Sequence, residues 1–102
     1  MVYNKLVRDK IPAIIEAQGE HPNFRILEAE AYSRLLEDKL DEEVNEFHRD
    51  KNLEELADIL EVVFALAEDL GHSRQELLDA AQDKREKRGG FRERVFLISK
   101  EG

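Results

Sequence analysis

Cysteine and tryptophan are absent from this 102-residue chain; methionine occurs once, proline twice and histidine three times. Without cysteine there is no disulfide framework and no thiolate to hold a soft metal, a composition expected of a protein in a reducing cytoplasm. Histidine is too sparse and wrongly spaced for a ferritin-like di-iron centre, which needs Glu-x-x-His. The residues three before His21, His48 and His72 are Gln18, Asn45 and Asp69. The longest apolar run, Val62 to Ala67, is far too short to cross a bilayer. Lys5, Arg8, Asp9 and Lys10 interrupt the N-terminus where a signal peptide would need an apolar stretch. The expectation is one cytoplasmic domain spanning 1–102, with no membrane partner.

Charge is what the chain has in abundance. Charged residues make up 39% of it and the net charge is -8, which argues against nucleic acid as the main partner. The distribution is uneven. Between Glu28 and Asp69, fifteen acids face only Arg34, Lys39, Arg49 and Lys51. Between Lys84 and Arg94, six bases face Glu86 and Glu93. An acidic middle and a basic tail suit a metal site beside an anion site.

Hydrophobic periodicity predicts about four helices and an all-α antiparallel bundle, or a pair of helical hairpins. The first runs from Lys10 to Gln18, with Asp9 as cap, Pro12 in its first turn and Gly19 as its stop. The second covers Glu28 to Arg49, with Tyr32, Leu36, Leu40 and Phe47 as its apolar stripe. The third starts after Asn52, where Asn52 and Glu55 have capping-box spacing, and reaches Leu70 and Gly71. Ser73-x-x-Glu76 opens the fourth, and Gly89-Gly90 closes it. Two short extended stretches, around Phe24-Arg25-Ile26 and from Arg94 to Ile98, could pair as a minor two-stranded ribbon. The third helix is apolar nearly all round from Ile59 to Ala67, so more than one neighbour must cover it, and a chain built to oligomerise is expected.

Two acidic motifs, Glu43-x-x-Glu46 and Glu55-x-x-Asp58, lie almost symmetrically about the break near Asp50 and Lys51. In antiparallel helices Glu46 falls opposite Glu55, and Glu43 opposite Asp58. Acid pairs three apart also occur at Asp38/Asp41, Asp58/Glu61, Glu76/Asp79 and Asp83/Glu86, so spacing alone does not single these out. The helical wheel does. At about 100° per residue, Glu43 lies inside the stripe of Leu36, Leu40 and Phe47, with Glu46 at its edge, whereas Asp38 and Asp41 lie opposite. Glu55 falls between Val62 and Leu66, and Asp58 borders the same arc. A buried carboxylate needs a partner. That partner is a base, for which Lys39 is nearest in sequence, or a divalent cation; one lysine cannot balance four carboxylates. Glu55 has a further reading as a helix cap. An all-oxygen ligand set favours a hard cation, Mg2+ with Mn2+ as substitute.

The stretch from Lys84 to Arg92 is the second constellation. Lys84, Lys87 and Arg88 share a helix face and could converge on one anion, with Gly89 and Gly90 allowing close approach of the backbone. The same residues also suit a helix C-terminus, where positive charge is favourable. Lys5, Arg8 and Lys10 could add to the cradle.

Taken together, YNKLVRDKIP, KLDEEVNEF, ELADILEV and KREKRGGF resemble the all-α nucleoside triphosphate pyrophosphohydrolases, in the MazG-like and phosphoribosyl-ATP pyrophosphohydrolase-like branch. The resemblance implies that Glu43, Glu46, Glu55 and Asp58 hold Mg2+, with Glu42, the first glutamate of EExxE, as a secondary member. It implies hydrolysis of a nucleoside triphosphate between the α- and β-phosphates, giving monophosphate and pyrophosphate, as in house-cleaning of non-canonical nucleotides. A carboxylate among Glu42, Glu43 and Glu46 would align or deprotonate the water, and Lys5, Arg8, Lys84, Lys87 and Arg88 would bind the substrate's phosphates. It also implies a homodimer or homotetramer. Three other readings stay open: a phosphoribosyl-ATP hydrolase of histidine biosynthesis, a non-enzymatic helical module that binds nucleotide or metal, and an RNA- or DNA-binding adaptor that uses Lys84 to Arg94.

Overall fold

A computed structural model describes residues 1–102, and every regular element in it is an α-helix: α1 (Ile11–Ala17), α2 (Ala29–Asp50), α3 (Leu53–Asp69) and α4 (Arg74–Arg88). The centre of the molecule is the α2–α3 hairpin. Its two-residue connection works because Lys51 adopts the left-handed conformation (φ 46°) and donates its N–H to the Phe47 carbonyl at 2.7 Å, ending α2. Asn52 then caps α3, its Oδ1 accepting the Glu55 N–H at 3.0 Å. So short a link leaves the helices antiparallel neighbours. Leu36, Val62, Phe64 and Ala67 are the buried apolar residues, the first from α2 and the others from α3.

The start of α4 follows the expected capping box in full: Ser73 Oγ accepts from the Glu76 N–H at 3.1 Å and Glu76 Oε1 accepts from the Ser73 N–H at 2.9 Å. Gly89, at φ 82°, ends the helix in a conformation that side chains avoid. α4 packs against α3 and not against α2, with the Arg74 guanidinium 4.0 Å above the Phe64 ring. The fold is therefore two successive hairpins sharing α3.

Two expectations are corrected. Asp9 does not cap α1; Lys10 occupies that position without a side-chain cap. The turn ahead of α1 closes instead through the backbone, as the Ile11 N–H donates to the Arg8 carbonyl at 3.0 Å. There is also no two-stranded ribbon: neither 20–28 nor 91–102 contains a strand. A left-handed Arg94 (φ 57°) and its N–H bond to the Phe91 carbonyl turn the chain there. Val95, Phe96, Leu97 and Ile98 then run out exposed. An isolated two-stranded pairing is marginal in water without a third partner, and the chain has no other strand to supply one.

The molecule is long, 63 × 31 × 21 Å, with a radius of gyration of 18.0 Å. A compact chain of this size would have about 13 Å. In keeping with that length, α4 meets α3 alone and Val95 to Ile98 are exposed. No helix is long and apolar enough to cross a membrane.

Candidate metal centre

Leu36 and Glu43 sit two turns apart on the inward side of α2, and both are buried, Glu43 being only 6% exposed. Opposite, the first turns of α3 present Glu55 and Asp58. One carboxylate oxygen each from Glu43, Glu46, Glu55 and Asp58 can be chosen so that all four lie within 4.8 Å of one another. These are the four residues that the helical wheel selects, and the antiparallel hairpin brings them together.

The quartet is short of positive charge. Lys39 Nζ lies 3.3 Å from Glu43 Oε1 but also donates to Glu42 Oε2 at 2.6 Å, so its charge is shared. Arg8 Nη2 donates to Asp58 Oδ1 at 2.6 Å. Glu46 makes no ion pair. Glu43 Oε2 and Glu55 Oε2 are buried with no hydrogen-bond partner. Burial, with Glu46 as a second cause, raises the Glu43 pKa in spite of Lys39. Burial also raises that of Glu55, and the neighbouring Glu46, Asp50 and Asp58 add to it.

These orphaned oxygens test the fit of a cation. A buried acceptor without a donor is expensive, and a carboxylate pair without compensating charge more so. The donor set is entirely oxygen, with no nitrogen or sulfur, which matches a hard divalent ion such as Mg2+ or Mn2+. Glu55 completes only half of a capping box with Asn52. Its N–H takes the Asn52 cap, while its carboxylate does not return to Asn52 and Oε2 is left within the cluster. The carboxylate is therefore not committed to the cap.

Glu42 stands outside the quartet. Lys39 holds one of its oxygens at 2.6 Å and Lys5 the other at 3.0 Å. Burial works to raise its pKa, but those two lysines outweigh it and hold the carboxyl below its ordinary value. Among the expected substrate-binding bases, Lys5 and Arg8 reach the acidic patch. Lys84, Lys87 and Arg88 do not: they are exposed and form no ion pair. The physical reason is that α4 packs on α3 alone and its residues from Lys84 to Arg88 are all exposed.

A cavity of about 760 Å³ lies between the segment before α1 and the α2–α3 hairpin. Arg8, Lys10, Lys39, Glu43 and Asp58 line it, so it opens onto the quartet from one side. Tyr32 and Asp69 also line it, about 16 Å along the helices from Glu43 and Asp58 by their eleven-residue offsets. Burial raises the Tyr32 pKa, with Asp69, Asp9 and Glu68 adding to it. Asp69 is in turn held by Ser33 Oγ at 2.6 Å. This cavity and the Arg8–Asp58 contact escape sequence reasoning, since no periodicity links a loop residue to a helix fifty positions away.

No family model and no solved structure matches this chain. A 42-residue stretch is 50% identical to part of an uncharacterized protein of Mycolicibacterium smegmatis, covering 41% of this chain and 43% of that protein. The similarity thus spans less than half of either.

Proposed function

We propose that this protein is a Mg2+-dependent nucleotide pyrophosphohydrolase that cleaves a nucleoside triphosphate, or a related nucleotide, between its α- and β-phosphates. The observation that supports it most is the quartet of carboxylate oxygens within 4.8 Å, two of whose members carry buried oxygens with no partner. Glu43, Glu46, Glu55 and Asp58 would hold the ion, which when bound supplies positive charge to phosphate oxygens. Arg8, Lys10 and Lys39 face the same cavity and are suited to a polyphosphate beside it. Glu46, which makes no ion pair, is the carboxylate best suited to take the proton of the attacking water. The water oxygen then bonds to the α-phosphorus, the bond from that phosphorus to the α–β bridging oxygen breaks, and pyrophosphate leaves.

The test is product analysis. With Mg2+ and a panel of canonical and modified nucleoside triphosphates plus phosphoribosyl-ATP, phosphorus NMR should show monophosphate and pyrophosphate in equal amounts. Glu46→Gln should lower kcat by about 100-fold or more. Inorganic phosphate as the sole product, or no turnover of any of these, would overturn the reading.

Assembly into a homodimer or homotetramer belongs to the same proposal. Leu53, Leu56 and Leu60 form a single exposed stripe on α3 at 78%, 46% and 49% exposure. Val95 to Ile98 add an exposed apolar arm. A second copy covering them could also bring a basic α4 end to a site that lacks one in the lone protomer. Light scattering at micromolar concentration should give at least a dimer, and Leu60→Lys should shift it toward monomer. A wild-type monomer at that concentration would rule assembly out.

A further inference from the structure

The segment Met1–Arg8 carries no regular element, and α1 packs against no other helix. Its polar attachments to the hairpin are two ion pairs. Lys5 holds Glu42 at 3.0 Å, and Arg8 holds Asp58 at 2.6 Å. The second is unusual in its choice of partner, because Asp58 also supplies an oxygen to the quartet. Arg8 thus puts a positive charge on one of the four carboxylates while leaving the buried oxygens of Glu43 and Glu55 unsatisfied. It neutralises the rim of the site without filling its centre.

We propose that Arg8 is an exchangeable counter-ion: it holds Asp58 in the metal-free protein, yields Asp58 to an entering divalent cation, and then turns its guanidinium to the phosphates of the bound nucleotide. The inference rests on the pyrophosphohydrolase reading and adds an order of events to it. The side chains of the pair are 54% and 38% exposed, so their attraction is screened and weak enough for a divalent ion to displace. Arginine stays charged after it leaves, since it cannot be deprotonated in a protein. Its planar fork matches two phosphate oxygens. Lys10 and Lys39 line the same cavity, so the released guanidinium has an anion site next to it. Metal and polyphosphate binding are then coupled through one side chain, each favouring the other.

Isothermal titration of the wild type, Arg8→Gln and Arg8→Lys with Mn2+ alone, and with pyrophosphate in the presence and absence of Mg2+, tests this without turnover. Without its competitor, Arg8→Gln should bind Mn2+ about three- to tenfold more tightly than the wild type. The gain in pyrophosphate affinity that Mg2+ confers should shrink in the same variant. Arg8→Lys, which keeps the charge but not the fork, should bind Mn2+ like the wild type and pyrophosphate less well. Equal or weaker Mn2+ binding by Arg8→Gln, with wild-type binding intact, would overturn the exchange alone. Failure of the wild type to bind Mn2+ at all would overturn the exchange and the proposed function together.

Discussion

Glu43→Gln is expected to make the metal-free protein more stable and to abolish its stabilisation by Mg2+. The two effects share one cause. Glu43 is 6% exposed, its Oε2 has no partner, and its neighbours across the hairpin are carboxylates. Its raised pKa means that the folded protein binds this proton more tightly than the unfolded chain does. Metal-free stability therefore falls as pH rises from the ordinary glutamate value of 4.5 through the raised one, and is lowest above it. Glutamine keeps the shape, carries no charge, and can donate to a neighbouring carboxylate oxygen. Lys39 keeps Glu42 as a partner at 2.6 Å. In chelator-treated buffer at pH 7 the variant should melt higher than the wild type, with a flatter dependence on pH; Glu55, shifted in the same direction, leaves some slope. Adding Mg2+ at a hundred times its Kd should stabilise the wild type by about 2.7 kcal/mol. That corresponds to a rise in Tm of roughly 13 °C for a domain of this size. The variant should not respond. If glutamine lowers the metal-free Tm, the carboxylate is serving the fold rather than a ligand.

How much of this the sequence reveals depends on how local each determinant is. The helices are legible because their signals are local: the Asn52 cap opens α3, the apolar stripe through Leu36 repeats along α2, and the Ser73–Glu76 box opens α4. The quartet is legible for the same reason. Once two helices are antiparallel across a two-residue link, register follows from counting, and Glu43, Glu46, Glu55 and Asp58 must meet. What fails is non-local or unpartnered. The ribbon expected near Phe24 and Phe96 needs pairing across some seventy positions, and nothing else in the chain holds those segments together. Lys84, Lys87 and Arg88 share a helix face as expected, but α4 meets α3 through tertiary contacts such as Arg74 over Phe64 and Arg74 with Glu61, which no pattern announces. The cap of α1 at Lys10 instead of Asp9 is a one-residue shift, decided by a backbone turn from Arg8.

Leu36→Ala should bring the largest loss of stability of any single truncation. Leu36 is the most buried residue, at 3% exposure; it is the one buried apolar side chain of α2 and lines the same cavity as Val62 of α3. Removing a buried leucine side chain typically costs about 2–5 kcal/mol, transfer and cavity together. Against a total near 5–15 kcal/mol for a domain, a core this small has little reserve. Urea unfolding followed by far-ultraviolet circular dichroism should show a lower midpoint with an unchanged slope. The increment given by Mg2+ should nevertheless survive. Leu36 is seven residues from Glu43, about 10 Å along α2, and contributes no carboxylate, so its truncation and metal binding should add independently. Leu36→Ala would thus be weak but responsive, and Glu43→Gln stable but unresponsive. That opposition separates what holds the hairpin together from what the hairpin is proposed to hold, and a Leu36→Ala protein that had lost its Mg2+ response would mean that the quartet depends on the packing beneath it rather than on register alone.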